Sequence, residues 1–301
     1  MAVEVREGVS LEYDTFGDPA DSPLLLVMGL GFQLIHWDPE FCQQLADRGF
    51  HVIRFDNRDV GLSTKMHGAP KPKPAAALAG FTGSASYTLW DMADDTAALL
   101  DRLEIPAAHV AGISMGGMIS QSLAIKHPQR VLSLASMLSS TGNRRVGVPR
   151  MRAMALLTKR APKEREPYID FAVEVSKVIG SRKHFDEQRV RHVAATAYDR
   201  CYYPVGMLRQ LVGIQASGDR TEQLKRLDVP AVVVHGSDDP LVPTRAGHAT
   251  AKAIPGARMV EIADLAHDLP PAVWARVIDA IAENTARSSD TTAVASAVTS
   301  P

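Results

Sequence analysis

The chain has 301 residues, of which 46% are hydrophobic and 22% are charged. This balance is typical of a globular protein and excludes a fibrous or largely disordered chain, and the length suits one large α/β unit with an insertion. Because 33 Lys and Arg side chains are matched by 34 Asp and Glu side chains, no net charge attracts nucleic acid or an anionic membrane, and neither is expected as a charge-driven partner.

The N-terminal segment does not have the pattern of a secretory signal peptide, because four charged side chains fall within its first 12 residues. The longest apolar run, residues 24–32, is far shorter than the roughly 20 residues that cross a bilayer. Two cysteines, Cys42 and Cys201, do not indicate a disulfide framework. We expect a cytoplasmic protein without a transmembrane segment, and leave peripheral membrane contact and oligomeric state open.

The first elements are two stretches that alternate apolar and polar residues around Gly8, and they predict an antiparallel hairpin over residues 3–5 and 9–13. Short apolar runs follow, of the kind expected for strands buried on both faces. These runs are residues 24–28, 51–55, 109–113, 131–138, 231–235 and 258–262. Helical stretches separate most of them, which predicts an α/β fold with a mostly parallel central sheet and helices on both faces.

Capping residues mark the helix starts. Asp38 offers a side-chain acceptor ahead of Pro39, which suits a first helical turn, and Thr88 with Asp91 forms a capping-box pattern. Two more helices are predicted, one following Ser114 to about residue 126 and a last one over residues 271–285.

Some regions break this alternation. Residues 65–86 are rich in Pro, Ala and Gly and predict a long mobile loop. Residues 139–219 contain helical segments without a convincing buried strand, which predicts a helical cap inserted into a core made of residues 1–138 and 220–286. The low-complexity tail, residues 287–301, is predicted to be disordered.

The segment from Gly112 to Gly116 places Ser114 where a buried apolar run ends and a helix is predicted to begin. Such a turn lifts the serine hydroxyl above the sheet edge, and the flanking glycines let neighbouring segments approach. The free N–H groups at the start of the helix face the same point. A Gly-x-Ser-x-Gly string also occurs in ordinary turns, but its place between strand and helix favours a catalytic nucleophile.

A serine hydroxyl needs a base near neutral pH, and histidine has a suitable pKa. His267 lies in a predicted loop between the last strand and the last helix. The base in turn needs a carboxylate, for which Asp238 and Asp239 both follow a buried run. His235 is interpreted as a buried hydrogen-bonding residue.

Three further histidines, His109, His127 and His248, are interpreted as surface or strand-edge residues. A tetrahedral intermediate also requires two N–H donors for its oxyanion. We assign these donors to Met115, directly after the nucleophile, and to Leu30, in the glycine-containing segment after the first buried run.

With these motifs, the chain resembles α/β-hydrolases over nearly its whole length outside the cap and the tail. Residues 26–29, Trp37 and residues 51–63 resemble actinobacterial esterases related to aclacinomycin methylesterase and mycobacterial lipase/esterases of the LipG type. The resemblance implies no metal or organic cofactor. Within this family pattern, the segment from Asp56 to Arg58 is interpreted as a structural turn rather than a substrate-binding one.

The family pattern selects Asp239 as the acid, because it lies three residues after Gly236 and four before Pro243. Asp238 is then left to cap the loop. The order serine, aspartate, histidine along the chain also matches the family. Ala266 departs from the pattern, since a glycine often precedes the base.

The resemblance implies a serine hydrolase that forms an acyl-enzyme on Ser114 with small-molecule esters of short to medium acyl chains, with lipid esters and thioesters as further candidates. Cofactor-free haloperoxidase or perhydrolase activity, carbon–carbon bond hydrolysis and a hydrolase-like receptor for small molecules remain alternatives. Apolar cap residues form either an acyl pocket or, more simply, the packing between cap and core. They are Met151, Met154, Leu156, Leu157, Phe171, Val175, Met207 and Leu211.

Overall fold

The computed structural model describes residues 1–298, and these contain one eight-stranded sheet in the order β1-β2-β4-β3-β5-β6-β7-β8. Its strands are β1 (Ala2–Arg6), β2 (Val9–Phe16), β3 (Ser22–Val27), β4 (Phe50–Phe55), β5 (Ala108–Ile113), β6 (Val131–Met137), β7 (Ala231–Gly236) and β8 (Arg258–Ile262). The strand pairs β1–β2 and β2–β4 are antiparallel, and the remaining neighbours are parallel. The predicted α/β architecture is confirmed.

Helices cover both faces of the sheet. They are α1 (Pro39–Ala46), α2 (Pro74–Leu78), α3 (Leu89–Arg102), α4 (Met115–Lys126), α5 (Met151–Thr158), α6 (Arg165–Ile179), α7 (Glu187–Arg200), α8 (Pro204–Ala216), α9 (Thr221–Leu224), α10 (Thr244–Ala253) and α11 (Trp274–Val298). Side chains of β3 alternate between two cores. Leu25 packs with residues of α3 and α4, whereas Leu26 packs with residues of α1 and α11.

The predicted caps form hydrogen bonds. The Asp38 side chain accepts from the backbone of Glu40 at the start of α1, and Thr88 and Asp91 form a reciprocal capping box at the start of α3. Together they satisfy N–H groups that a helix start otherwise leaves unpaired.

Residues 139–219, named here the cap segment, lie between β6 and β7 and contain α5 to α8 without a strand. Residues 65–86, predicted as a long loop, lie outside helices and strands except for the short helix α2, which the sequence analysis did not predict. Pro74 suits the first helical position, and the alanines that follow have the highest helix propensity.

The last helix, α11, extends to Val298, and residues 299–301 lie outside the described part. The disordered tail over residues 287–301 stays a prediction. Residues 287–298 contain neither Gly nor Pro, so no helix breaker interrupts the helix that Trp274 begins. The Arg287 guanidinium donates hydrogen bonds to Ala231 O, at the start of β7, and to Gly256 O.

Of the two positions predicted for His109, surface or strand edge, the surface position is wrong, because the residue lies in β5 and is 5% exposed. Its Nδ1 lies 2.9 Å from Ser133 Oγ on the neighbouring strand β6. Burial lowers the pKa of His109 to about 4. By contrast, His248 is exposed and pairs with Glu261, as a surface histidine would. Within residues 1–298, no helix combines the length and apolar character needed to cross a membrane.

Candidate active site

Ser114, Asp239 and His267 lie at one edge of the sheet, each after a strand of its parallel part. Ser114 directly follows β5, Asp239 follows β7 and His267 follows β8, and the carboxyl ends of parallel strands are where such sheets place their ligands. His267 Nε2 lies 2.9 Å from Ser114 Oγ, and His267 Nδ1 lies 2.7 Å from Asp239 Oδ2. The structure therefore brings together all three residues of the predicted triad.

Ser114 occupies a strained turn between β5 and α4. Its φ of 56° and ψ of −120° lie outside the regions that residues with a Cβ normally adopt. The turn is possible because its flanking glycines have no side chain: a Cβ on Gly112 would lie 2.3 Å from Gly116 O, and one on Gly116 would lie 1.9 Å from Val27 O. The Ser114 N–H donates to Met137 O of β6 at 2.8 Å, which anchors the turn in the core.

The two neighbouring aspartates have different surroundings. Asp239 is buried, and its Oδ1 accepts hydrogen bonds from the N–H groups of Leu241 and Val242, both at 2.8 Å, which leaves Oδ2 facing His267. Asp238 is exposed and accepts only from the hydroxyl of Ser237 among the side-chain groups described. Backbone donors therefore hold Asp239 in the orientation that a partner for the imidazole requires.

His235 is buried behind this carboxylate, in agreement with a structural interpretation. Its Nε2–H donates to Val242 O at 2.7 Å, and the same nitrogen lies 3.6 Å from Asp239 Oδ2. Burial lowers the pKa of His235, so the ring is held neutral. Through Val242, His235 supports the loop that carries the acid.

The loop after β3 contains the predicted donor Leu30 and lies against the nucleophile. A Cβ added to Gly29 would lie 3.4 Å from Ser114 Cβ. Gly29 O accepts from the Phe32 N–H at 3.3 Å, and this turn fixes the peptide group that carries the Leu30 N–H. Within residues 1–298, neither the Leu30 nor the Met115 N–H donates a hydrogen bond, so both remain free for an oxyanion.

Two residues that the sequence did not indicate support this loop. Asn57 Nδ2 donates to Met28 O at 3.0 Å, and Gln210 Oε1, from α8 of the cap segment, accepts from the Gly31 N–H at 2.8 Å. Met207, one helical turn before Gln210, also packs there, since a Cβ on Gly31 would lie 2.7 Å from its Cγ. The cap segment thus contacts the loop after β3, residues 28–33, which is named here the oxyanion loop.

The segment from Asp56 to Arg58 forms structural contacts, as interpreted from the sequence. The fully buried Asp56 accepts from the N–H groups of Leu34 at 2.6 Å and Leu62 at 2.8 Å, and from Arg200 of α7 at 2.6 Å. Burial raises the pKa of Asp56, although these three donors oppose the rise. Arg58 forms a buried bidentate pair with Asp95 of α3.

The apolar cap residues do not share one environment. Leu211 is buried, Met207 contacts the oxyanion loop, and Met151 is 89% exposed. Met151 therefore does not line an enclosed acyl pocket. Among the residues that the structure describes, no group of three or more His, Cys, Asp or Glu side chains is arranged to hold a metal ion.

Comparison with known proteins gives a consistent result. Residues 22–270 match the model of a family described as alpha/beta hydrolase fold. Rhodomycin D methylesterase DauP of Streptomyces sp. (strain C5) is 30% identical over 302 residues, which cover 93% of this chain and 96% of that protein.

Two solved structures extend the comparison. The enol-lactonase of Burkholderia xenovorans LB400 has a TM-score of 0.69 and 26% identity, with 93% of this chain and 96% of that chain covered. The meta-cleavage product hydrolase CumD of Pseudomonas fluorescens IP01 has a TM-score of 0.76 at 16% identity, with 95% and 97% covered. At that identity, the second likeness shows the fold alone.

Proposed function

The chain belongs to the alpha/beta hydrolase fold family, and on this premise we propose that it is a serine hydrolase that cleaves carboxylic esters of small molecules through an acyl-enzyme on Ser114. The observation that carries the proposal is the continuous chain of contacts from Ser114 through His267 to Asp239, at 2.9 Å and 2.7 Å. A nucleophile within reach of a base, and a base oriented by a carboxylate, are the parts that acyl transfer needs.

In the proposed first half-reaction, His267 Nε2 takes the hydroxyl proton as Ser114 Oγ attacks the ester carbonyl carbon. The N–H groups of Leu30 and Met115 bind the oxygen that becomes negatively charged. Asp239 stabilises the imidazolium. His267 then protonates the departing alcohol, and the acyl group remains on Ser114.

The second half-reaction reverses these roles. A water molecule replaces the alcohol, His267 removes its proton, and the resulting attack on the acyl carbon passes through the same oxyanion. Protonation of Ser114 Oγ by His267 releases the carboxylic acid. The same five groups, Ser114 Oγ, His267, Asp239 and the N–H groups of Leu30 and Met115, serve both halves, so a change in any one slows both.

The ester substrate class is supported by the relatives. A methylesterase and an enol-lactonase, as their names state, both act on esters, one open and one cyclic. Phe32, 46% exposed next to the oxyanion loop, and Met207 give this side of the site apolar surface. We therefore propose short to medium acyl chains first, and place thioesters and lipid esters in the same test.

The test is hydrolysis of p-nitrophenyl esters from acetate to palmitate, together with one acyl thioester and one phospholipid, by the purified protein and by Ser114→Ala. We expect turnover of the shorter esters and a loss on the order of 10⁴ to 10⁶ in kcat for the variant. Equal rates in the variant would contradict a role for Ser114. Turnover limited to peroxide-dependent halogenation or to carbon–carbon bond cleavage would contradict the ester substrate.

A further inference from the structure

One turn of the cap segment, residues 179–181 at the end of α6, is hydrogen-bonded to the loop that carries His267. The His267 N–H donates to Ile179 O at 2.9 Å, and the Ala266 N–H donates to Ser181 Oγ at 2.8 Å. Ser181 in turn donates twice to Asp268, from its N–H to Oδ2 at 2.9 Å and from its hydroxyl to Oδ1. Residues 263–270, between β8 and α11, are named here the base loop, and residues 179–181 the cap turn. Three successive residues of the base loop are thus hydrogen-bonded to the cap turn.

This contact excludes solvent and fits closely. Ser181 is 1% exposed, so its hydroxyl is shielded from solvent. A Cβ on Gly180 would lie 3.1 Å from Asp268 Oδ2, and the absence of that atom lets the turn approach the carboxylate. Burial raises the pKa of Asp268, and the two hydrogen bonds from Ser181 oppose that rise, so Ser181 and Asp268 stabilise one another in this contact.

The core holds a different part of the same loop. The Asp238 N–H donates to Leu265 O at 3.0 Å, and the Asp264 N–H donates to Ser237 Oγ at 3.1 Å. These bonds from the loop after β7 end at residue 265, immediately before the residues that the cap holds. On the other side of the base, Leu269 O accepts from Trp274 Nε1 of α11 at 3.0 Å. Between these core attachments, the N–H groups of residues 266 and 267 donate to the cap turn.

We propose that Ser181 is a positioning residue for the reaction: through Asp268 and the backbone of residues 266 and 267, it keeps His267 Nε2 facing Ser114. The base is competent only while the cap turn is docked. The cap therefore acts on the chemical step as well as on access to the site. This inference rests on the proposed function, because it assigns a role to Ser181 only if His267 acts as the base.

The experiment compares Ser181→Ala with Ser217→Ala in the full chain. Ser217 is a matched control, since it is also a buried serine of the cap segment that accepts from a backbone N–H, at 2.8 Å from Leu89, and donates to a carbonyl, at 2.7 Å to Gly213. Both variants lose one buried hydroxyl with two partners. Two quantities are measured well below the lower melting temperature: kcat and KM for p-nitrophenyl butyrate, and the rate at which a fluorophosphonate labels Ser114.

For Ser181→Ala we expect kcat to fall by about 10- to 100-fold with KM changed by less than about threefold, because displacement of a catalytic group by about 1 Å costs on this order. The labelling rate should fall by the same factor. Ser181→Thr, which keeps the hydroxyl, should restore both rates. Should threonine not fit the buried site, Asp268→Asn tests the same link and should lower kcat in the same direction.

The outcomes separate the two proposals. Wild-type protein that neither hydrolyses esters nor reacts with the probe overturns the proposed function, and this inference with it. Wild-type protein that reacts at Ser114 no faster than Ser181→Ala overturns the inference alone. An equal loss of kcat in Ser217→Ala also overturns it, since the effect would then be a general consequence of a loosened cap.

Discussion

The proposed nucleophile, Ser114, and the proposed base, His267, are held by different parts of the molecule. Ser114 lies in a turn between β5 and α4. Its N–H donates to Met137 O of β6, and its carbonyl oxygen accepts from Ser139 Oγ, at the first position of the cap segment. The His267 backbone bonds to Ile179, and its neighbours Ala266 and Asp268 bond to Ser181, all from the cap segment. The Ser114 turn is therefore held by β6 and by a residue two positions after it, whereas the proposed base depends for its position on the cap turn at the end of α6.

The oxyanion loop resembles the base in this respect. Its Gly31 N–H donates to Gln210 of α8, and Gln33 bonds to Ala197, Cys201 and Arg200 at the end of α7. The oxyanion loop and the loop that carries His267 are therefore hydrogen-bonded to the part of the cap segment from α6 to α8, whereas the Ser114 turn is bonded to its first residue, Ser139. The following predictions test this difference.

The largest effect is expected when the link between base and acid is removed and the nucleophile turn is left intact. Asp239→Asn should lower kcat by about 10⁴-fold, because an amide in place of the carboxylate favours the wrong imidazole tautomer. Asp238→Asn is the matched control, exposed and one residue away, and should change kcat by less than about threefold. Steady-state kinetics on p-nitrophenyl butyrate measures both, and a larger loss in Asp238→Asn would overturn the assignment of the acid.

A smaller effect is expected where the cap holds the oxyanion loop. Gln210→Ala removes the acceptor of the Gly31 N–H and the donor to Arg58 O, so the loop loses its attachment to α8. We expect kcat to fall about tenfold, less than the about 10²-fold cost of removing an oxyanion donor itself. Gln43→Ala, a glutamine whose side chain bonds to exposed Asp47, serves as control. Unchanged kcat in Gln210→Ala would show that the core alone shapes the loop.

The smallest effect on activity, and a clear one on stability, is expected in the core. His109 has its pKa lowered to about 4 by burial, below the ordinary value of about 6.5 that the unfolded chain restores. Between these values the unfolded state binds more protons, so the free energy of unfolding falls as pH decreases from about 6.5 to 4. This residue should account for on the order of 2 to 3 kcal/mol of that fall.

His109→Gln removes this titrating group and should flatten the dependence of stability on pH in that range, with kcat unchanged at pH 7. Urea unfolding at pH 7, 5.5 and 4 measures the free energy of unfolding of both proteins. His192→Gln, an exposed histidine of α7, is the control and should retain the wild-type dependence. A variant His109→Gln that still loses stability as steeply as wild type would contradict the burial-driven shift.

The parts of the site that could be predicted are those encoded by neighbouring residues. The sequence around Ser114 predicts a turn, because a glycine lies two residues away on either side. Asp239 and His267 could be predicted because each lies within a few residues of a buried apolar run, in the loops after β7 and β8. The same holds for the cap of α3, whose two partners, Thr88 and Asp91, are three residues apart. Local spacing was sufficient for each.

What could not be predicted depends on partners far apart in sequence. Ser181 meets Asp268 across 87 residues, and Gln210 meets Gly31 across 179. Neither contact can be recognised from a single sequence, because serine and glutamine are common residues in helical segments and nothing near them indicates a distant partner. The burial of His109 was missed for a related reason, because its partner Ser133 is assigned only once β5 and β6 are paired.

The most direct test of the proposed acyl-enzyme on Ser114 is the mass of the protein during turnover. Wild-type enzyme quenched in acid while it hydrolyses p-nitrophenyl butyrate should carry one butyryl group, and digestion should place it on Ser114. Ser114→Ala should carry none. Steady turnover with no acyl group on Ser114, or an adduct that persists in Ser114→Ala, would contradict an acyl-enzyme mechanism at this site.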